Sequence, residues 1–292
     1  MGAAAHPAVE HQQGRPGGPR GTRRRAPGGR PVTTVTRARR ADSRTRAVAL
    51  PAAVVLGLLA LAQVLSVTDV LPRRYAPPPT EVLAALGRLL AGPALWADIG
   101  ATLVGWAVSL AIAVLVGTAV GLLLGSVRPV RWLLTPVVEF LRPIPSIALI
   151  PLVVLTLGRG REGEVFLAAY AAVWQMLVAA IYATSAVDPV ARDTARAFGF
   201  SRLHTIRWVT LPAMVPGLVT GVRIASATAL IITVTSEILL GVPGLGEGLN
   251  LARNAGDLTR MYAYVVVIGV VGLGINTAFT ALTRRFLTWR GR

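Results

Sequence analysis

The sequence predicts an all-α integral membrane protein, with about six transmembrane helices behind a disordered, basic N-terminal tail. Three observations carry this. The 292-residue chain is 53% hydrophobic, whereas soluble domains reach about 45–50% even with glycine counted. Its apolar residues fall in runs long enough to cross a bilayer, which takes roughly 20 residues. Its net charge of +17 is gathered largely at one end.

The tail comes first. Residues 1–46 hold eleven arginines against only Glu10 and Asp42, with Gly, Pro and Ala between them. Such a segment cannot bury enough apolar surface to offset its ordering entropy, so disorder is expected. A basic tail beside a membrane span acts as an orientation signal and a contact for anionic membrane lipid; a nucleic-acid arm is not expected. The chain has no cysteine, which excludes disulfides and cysteine metal sites. It also has no lysine. The phosphate-binding loop of ATPases needs a lysine to reach the β- and γ-phosphates. No cofactor is therefore expected in this chain, and ATP chemistry would belong to a partner.

Apolar stretches run at about 47–67, 99–126, 131–157, 165–187, 213–240 and 261–283. The second, third and fifth are long enough to require tilting or kinking. The first is too long, and its basic flank too extended, for a cleaved signal peptide. An even number of spans puts both termini on one side. That side collects 21 arginines, tail included, against 7 on the other. The positive-inside rule then makes both termini cytoplasmic, in a bacterial plasma membrane.

Between the first two spans, Leu71–Pro79 (LPRRYAPPP) is expected to be extended on the outer side. Thr80 is the expected N-cap of a short amphipathic helix with Leu83, Leu86, Leu89 and Leu90 on one face. Gly117, Gly121 and Gly125 recur every four residues in the second span and predict close helix packing. The third span carries Pro136, Pro143, Pro145 and Pro151. Prolines remove donors and kink helices, and in a bilayer the freed groups need protein or water partners. This span is therefore either turned to the protein interior or a cavity, or simply a kinked, packed helix.

The cytoplasmic loop 188–212 (DPVARDTARAFGFSRLHTIRWVTLP) is a long polar break between spans. Asp188 suits an N-cap and Pro189 the first helical position. Gly199 suits a left-handed stop after Phe198. Ser201 can cap a second helix, and Pro212 is expected to kink the start of the fifth span. Two short helices joined by a glycine turn also fit a DNA-binding helix-turn-helix, but the flanking spans exclude it.

In this loop the chain resembles the permease subunits of binding-protein-dependent ABC transporters. Their motif reads EAA, three residues, Gly, nine residues, Ile, one residue, Leu-Pro. Asp193, Thr194 and Ala195 fall on EAA, Gly199 on the glycine, Val209 on the isoleucine, and Leu211-Pro212 on the closing pair. The substitutions are Asp for Glu, Thr for the first Ala and Val for Ile. The resemblance covers roughly residues 48–292, and 47–292 is taken as the permease domain. Further runs look like the nitrate/sulfonate/taurine (aliphatic sulfonate-like) branch: Ala76–Leu83, Leu95–Ile99, Leu141–Ser146, Thr220–Ala225 and Gly244-Leu245-Gly246.

This resemblance implies a MetI-like permease fold and a transport subunit, not an enzyme. It implies an ATP-binding subunit that holds ATP and Mg, an extracytoplasmic solute-binding protein, and a second permease copy, expected as a homodimer. It also implies that the helix near Asp193 couples to the ATPase. A small-residue face on Thr194, Ala195 and Ala197 then permits close approach, Arg192 and Arg196 can pair with acidic groups, and Phe198 can anchor in a pocket. Ionisable and polar groups inside spans are the candidates for the pathway of a small anionic solute: Glu139, Arg142, Gln175, Arg223 and Glu237. Arg142 is the expected attractor, and Glu139 and Arg142, one turn apart, could instead form a structural pair. A secondary transporter or channel needs no ATPase. A membrane-embedded enzyme finds no support, because two of the three histidines, His6 and His11, lie in the tail, far from His204.

Overall fold

Where the sequence changes from basic to apolar, the chain becomes helical. The computed structural model describes residues 39–287, and residues 1–38 of the tail lie outside them. Helix α1 runs Arg39–Val67, so it begins at Arg39 and not at 47. Arginine and alanine are good helix formers and carry the helix back beyond the apolar stretch. The chain divides into units 1–54 and 55–292, the second of which holds the end of α1 and every later helix.

The remaining helices are α2 (Pro79–Ala91), α3 (Pro93–Ser126), α4 (Arg128–Leu141), α5 (Ile150–Leu157), α6 (Arg161–Ser185), α7 (Pro189–Ala197), α8 (Arg202–Thr205), α9 (Leu211–Leu240), α10 (Leu245–Asn254) and α11 (Leu258–Leu287). A 3-10 turn, Ser146–Leu149, precedes α5, and a π-helical turn, Ile206–Thr210, joins α8 to α9. No strand occurs among the described residues. Among the described residues five helices are long and apolar enough to cross a membrane, or six if the bent pair 128–141 and 146–157 forms one span. At 34 residues, α3 is about 51 Å long, well beyond a hydrocarbon core of roughly 30 Å. It must tilt or project.

The core is a three-helix layer with α6 between α3 and α9. Glycines make the contact close, as predicted. A Cβ on Gly117 would lie 2.7 Å from Met176 Cβ, and one on Gly121 would lie 2.6 Å from Ala180 Cβ. Gly221 of α9 meets Ala179 of α6 in the same way. Leu110, Ala113, Ala172, Met176, Ala225 and Ala229 fill the layer. Trp106 crosses it, donating its indole N–H to Ser226 O at 3.0 Å.

The proline-rich third span is broken, not merely kinked: its halves meet at 81°. Leu141 O would ordinarily accept from residue 145, but Pro145 has no N–H. The carbonyl instead accepts from Ile144 N at 3.2 Å and from Tyr170 Oη at 2.7 Å. The break is thus satisfied by protein, as a bilayer requires. Its first half, α4, buries no residue within one chain.

The outer helix also departs from expectation. Pro79 takes the first turn of α2 and no side chain caps it. Thr80 exchanges bonds with Gln63 of α1 instead: Thr80 N donates to Gln63 Oε1 and Gln63 Nε2 to Thr80 Oγ1, both at 3.2 Å. The buried face of α2 is Val82 and Ala85 with Leu86 and Leu89 beside them, packed on Ala263. Leu83 and Leu90 are exposed. The amphipathic period was correct but its face was rotated, because α2 packs on α11.

Candidate functional site

The loop 188–212 builds the pair of short helices its sequence predicts. Asp188 Oδ1 accepts from Val190 N at 2.8 Å and Pro189 opens α7. At the other end Gly199 has φ +75°, a conformation that costs side-chain-bearing residues roughly 1 kcal/mol or more. Phe200 N donates to Ala195 O at 3.0 Å and Gly199 N to Arg196 O at 2.9 Å. This closes the helix with a Schellman-type turn. Ser201 Oγ accepts from His204 N at 3.3 Å and contacts His204 Nδ1 at 2.9 Å, so it caps α8. The second helix does not stop before the span. It passes through the π turn directly into α9, with Pro212 in that helix's first turn.

Arg192 donates to Thr184 O at 3.3 Å, tying α7 to the end of α6. Ala195 is the buried residue of α7. Thr194 is exposed and turns its hydroxyl back to Val190 O at 2.8 Å. Val190, Thr194 and Phe198 repeat every four residues, which puts them on one face, and all three are exposed, Phe198 at 78%. Arg196 and Asp193 approach to 3.5 Å on the surface. Thr194, Ala195, Phe198, Phe200 and Val209 surround an open hollow between α7 and the π turn. Leu211 is exposed and Pro212 half-buried. Val190, Phe200, Leu203, Ile206 and Trp208, large apolar side chains of the same loop, are exposed as well. None of the five is among the site residues expected from the sequence, although the accumulation of large apolar residues in a polar loop was the available signal.

The in-span candidates scatter. Glu139, Arg142, Gln175 and Arg223 are all exposed. Glu139 and Arg142 form no ion pair with each other, although Arg142 still closes the last turn of α4 through Val138 O. Gln175 shares an open hollow of α6 and α9 with Tyr182 and Thr220. Arg223 donates to Asn276 Oδ1 of α11 at 3.1 Å. Glu237 is fully buried and accepts from Gly246 N at 2.8 Å, while Leu245 N donates to Thr102 Oγ1 at 2.9 Å. These two acceptors cap the first turn of α10, whose backbone donors have no helical partner. Glu237 is therefore buried within this chain as a cap that holds α10.

One cluster was missed by the sequence reading. Glu164, fully buried, receives both its bonds from Arg161 Nη1, at 2.9 and 2.8 Å. The same guanidinium donates to Ala101 O at 3.2 Å and Pro243 O at 2.8 Å. It thereby joins α3, α6 and the turn before α10. Gly105 makes room, because a Cβ there would overlap the Glu164 carboxylate.

Comparison with known proteins decides what this frame is. The family model described as "Binding-protein-dependent transport system inner membrane component" matches residues 113–288. The chain belongs to this family. The permease is 30% identical to the taurine transport system permease protein TauC of Escherichia coli (strain K12), over 74% of its own length and 81% of that protein's. It is 24% identical to the putative aliphatic sulfonates transport permease protein SsuC of Bacillus subtilis (strain 168), covering 80% and 84%. It is 27% identical to the nitrate import permease protein NrtB of Synechocystis sp., covering 68% and 75%. Among solved structures, a chain of the MetNI methionine ABC transporter superposes with TM-score 0.57 at 22% identity, covering 66% of the permease and 95% of that chain. The fold is thus MetI-like. The permease is a multi-pass transport component of the nitrate/sulfonate/taurine branch, not an enzyme.

Proposed function

We propose that this permease forms half of the membrane pathway of an importer for a small anionic solute, such as taurine, another sulfonate or nitrate. A separate ATPase, binding ATP and Mg, docks on the 188–203 loop and drives it. An extracytoplasmic binding protein delivers the solute. The observation that carries this reading is the exposed Val190–Thr194–Phe198 face on a helix pinned to two spans. Arg192 fixes α7 to α6, and the π turn runs without interruption into α9. Force applied to that face reaches the three-helix core through the Arg192–Thr184 bond to α6, and through the Gly199 turn, α8 and the π turn into α9. The solutes for which the relatives are named support the solute class.

Two further features of the reading have separate support. The arginine distribution favours cytoplasmic termini. The bare face of α4, with Trp132, Leu133 and Phe140 each at least 74% exposed, favours a second permease copy. The exposed Arg142 beside that face is available to an anion there.

The test is cysteine crosslinking. The chain has no cysteine, so Phe198→Cys introduces the single thiol. It should crosslink to the ATPase encoded with the permease when that subunit carries a cysteine in its docking groove. Absence of any crosslink in an assembled, ATP-hydrolysing complex would refute the assignment.

A further inference from the structure

A second surface has the form of an amphiphile site. α1 is almost bare within the chain, with only 6% of Leu50–Val67 buried. Beside it α2 and α11 complete a groove whose walls are apolar: Leu56 and Leu59 of α1, Leu83 of α2, Val265 and Val266 of α11. One end of the groove is closed by polar groups. Gln63 and Thr80 make their two reciprocal bonds there, and Tyr262 Oη donates to Tyr75 O at 3.1 Å. Tyr75 and Tyr262 meet at this end, and tyrosine is enriched where hydrocarbon gives way to water.

Arg73 and Arg74 stand at this closed end. They lie in the turn between Leu71 and Ala76, both of which line the groove. Both arginines are exposed, and no carboxylate among the described residues pairs with either. Paired guanidiniums at headgroup level match a phosphate. An apolar channel running from them toward the membrane interior matches an acyl chain. A packed helix of a second copy would use the apolar walls but not the two exposed guanidiniums, of which Arg74 lies over the Tyr75 ring at 6.0 Å.

We propose that this groove holds an anionic phospholipid, its acyl chain between α1 and α11 and its phosphate at Arg73 and Arg74. The site lies in the leaflet on the α2 side and does not depend on the transported solute or on the ATPase. The lipid fills a seam that the chain leaves open and fastens α1 to the rest of the permease.

Native mass spectrometry of the full-length permease, released from mild detergent and titrated with phosphatidylglycerol or phosphatidylethanolamine of the same chains, tests this. Phosphatidylglycerol should be retained about thirtyfold better, given the contribution of each of the two arginines near a lipid headgroup. Arg73→Gln with Arg74→Gln should bring that ratio close to one. Val265→Trp should reduce retention of both lipids, and Leu83→Gln, at an exposed wall position, should do so without added bulk. Equal retention of the two lipids by the unmodified permease would overturn the proposal, as would an unchanged preference in the double arginine variant. Val265→Trp changing the oligomeric mass while lipid retention stays the same would also overturn it, because the occupant would then be a second copy.

Discussion

Replacing Arg161 with methionine removes the only donor among the described residues to the fully buried Glu164 carboxylate. In the structure Arg161 supplies two bonds to Glu164, at 2.9 and 2.8 Å, and bonds to Ala101 O and Pro243 O. The side chains differ in burial: Arg161 is 34% exposed and Glu164 0%. Stripping a buried charge of its partner costs about 3–5 kcal/mol. At about 2–4 °C per kcal/mol for a domain of this size, the apparent melting temperature should fall by roughly 6–20 °C. Glu164→Gln should cost less, about 1–2 kcal/mol, because the amide oxygen still accepts and the guanidinium can regain water. The double variant should be more stable than the sum of the two changes, since the stranded charge is gone. The assay is thermal challenge of detergent-solubilised permease followed by fluorescence-detected size exclusion. Glu164→Gln falling as far as Arg161→Met, or strict additivity of the pair, would refute the asymmetric-burial argument.

Two predictions concern the breaks in helix. Gly199→Ala should destabilise the α7–α8 turn by about 1 kcal/mol and Gly199→Asn by less, because the site is open to a Cβ and only its φ of +75° resists; faster limited proteolysis at 198–202 in the alanine variant checks this, and equal rates for both would contradict it. Tyr170→Phe should leave Leu141 O with one weaker partner at the 81° bend, lowering stability by about 1–2 kcal/mol; an unchanged melting temperature would show that lipid or water replaces the hydroxyl.

What could be read in the sequence was what local chemistry fixes. Asp188-Pro189 and Gly199 bound α7 because capping and left-handed turns need only neighbouring residues. The glycines at 117 and 121 declared their close packing by a four-residue spacing that holds on any helix. The proline break was foreseen, but its 81° angle was not, since the angle depends on Tyr170 reaching Leu141 across 29 residues of sequence. Glu164 was invisible for the same reason. Its neighbours Arg161 and Glu162 read as a polar loop, and its burial comes from Gly105 on another helix. Glu237 was weighed as a pathway group because an ionisable residue inside a span defaults to function. Gly244 and Gly246, too small to block the approach of its carboxylate, instead make it the cap of α10. The exposed stripe on α7 needed both kinds of information: its period was local, but which face lay uncovered was decided by α6 and the π turn.

In the proposed coupling, force enters through the exposed face of α7. Its most direct test is solute accumulation by the permease reconstituted with its ATPase and binding protein in vesicles loaded with ATP. Val190→Ala with Phe198→Ala should cut accumulation at least about tenfold, the loss expected when an anchoring aromatic leaves an interface. The melting temperature of the isolated permease should stay the same, because both side chains are exposed. Full accumulation by that double variant would contradict the account.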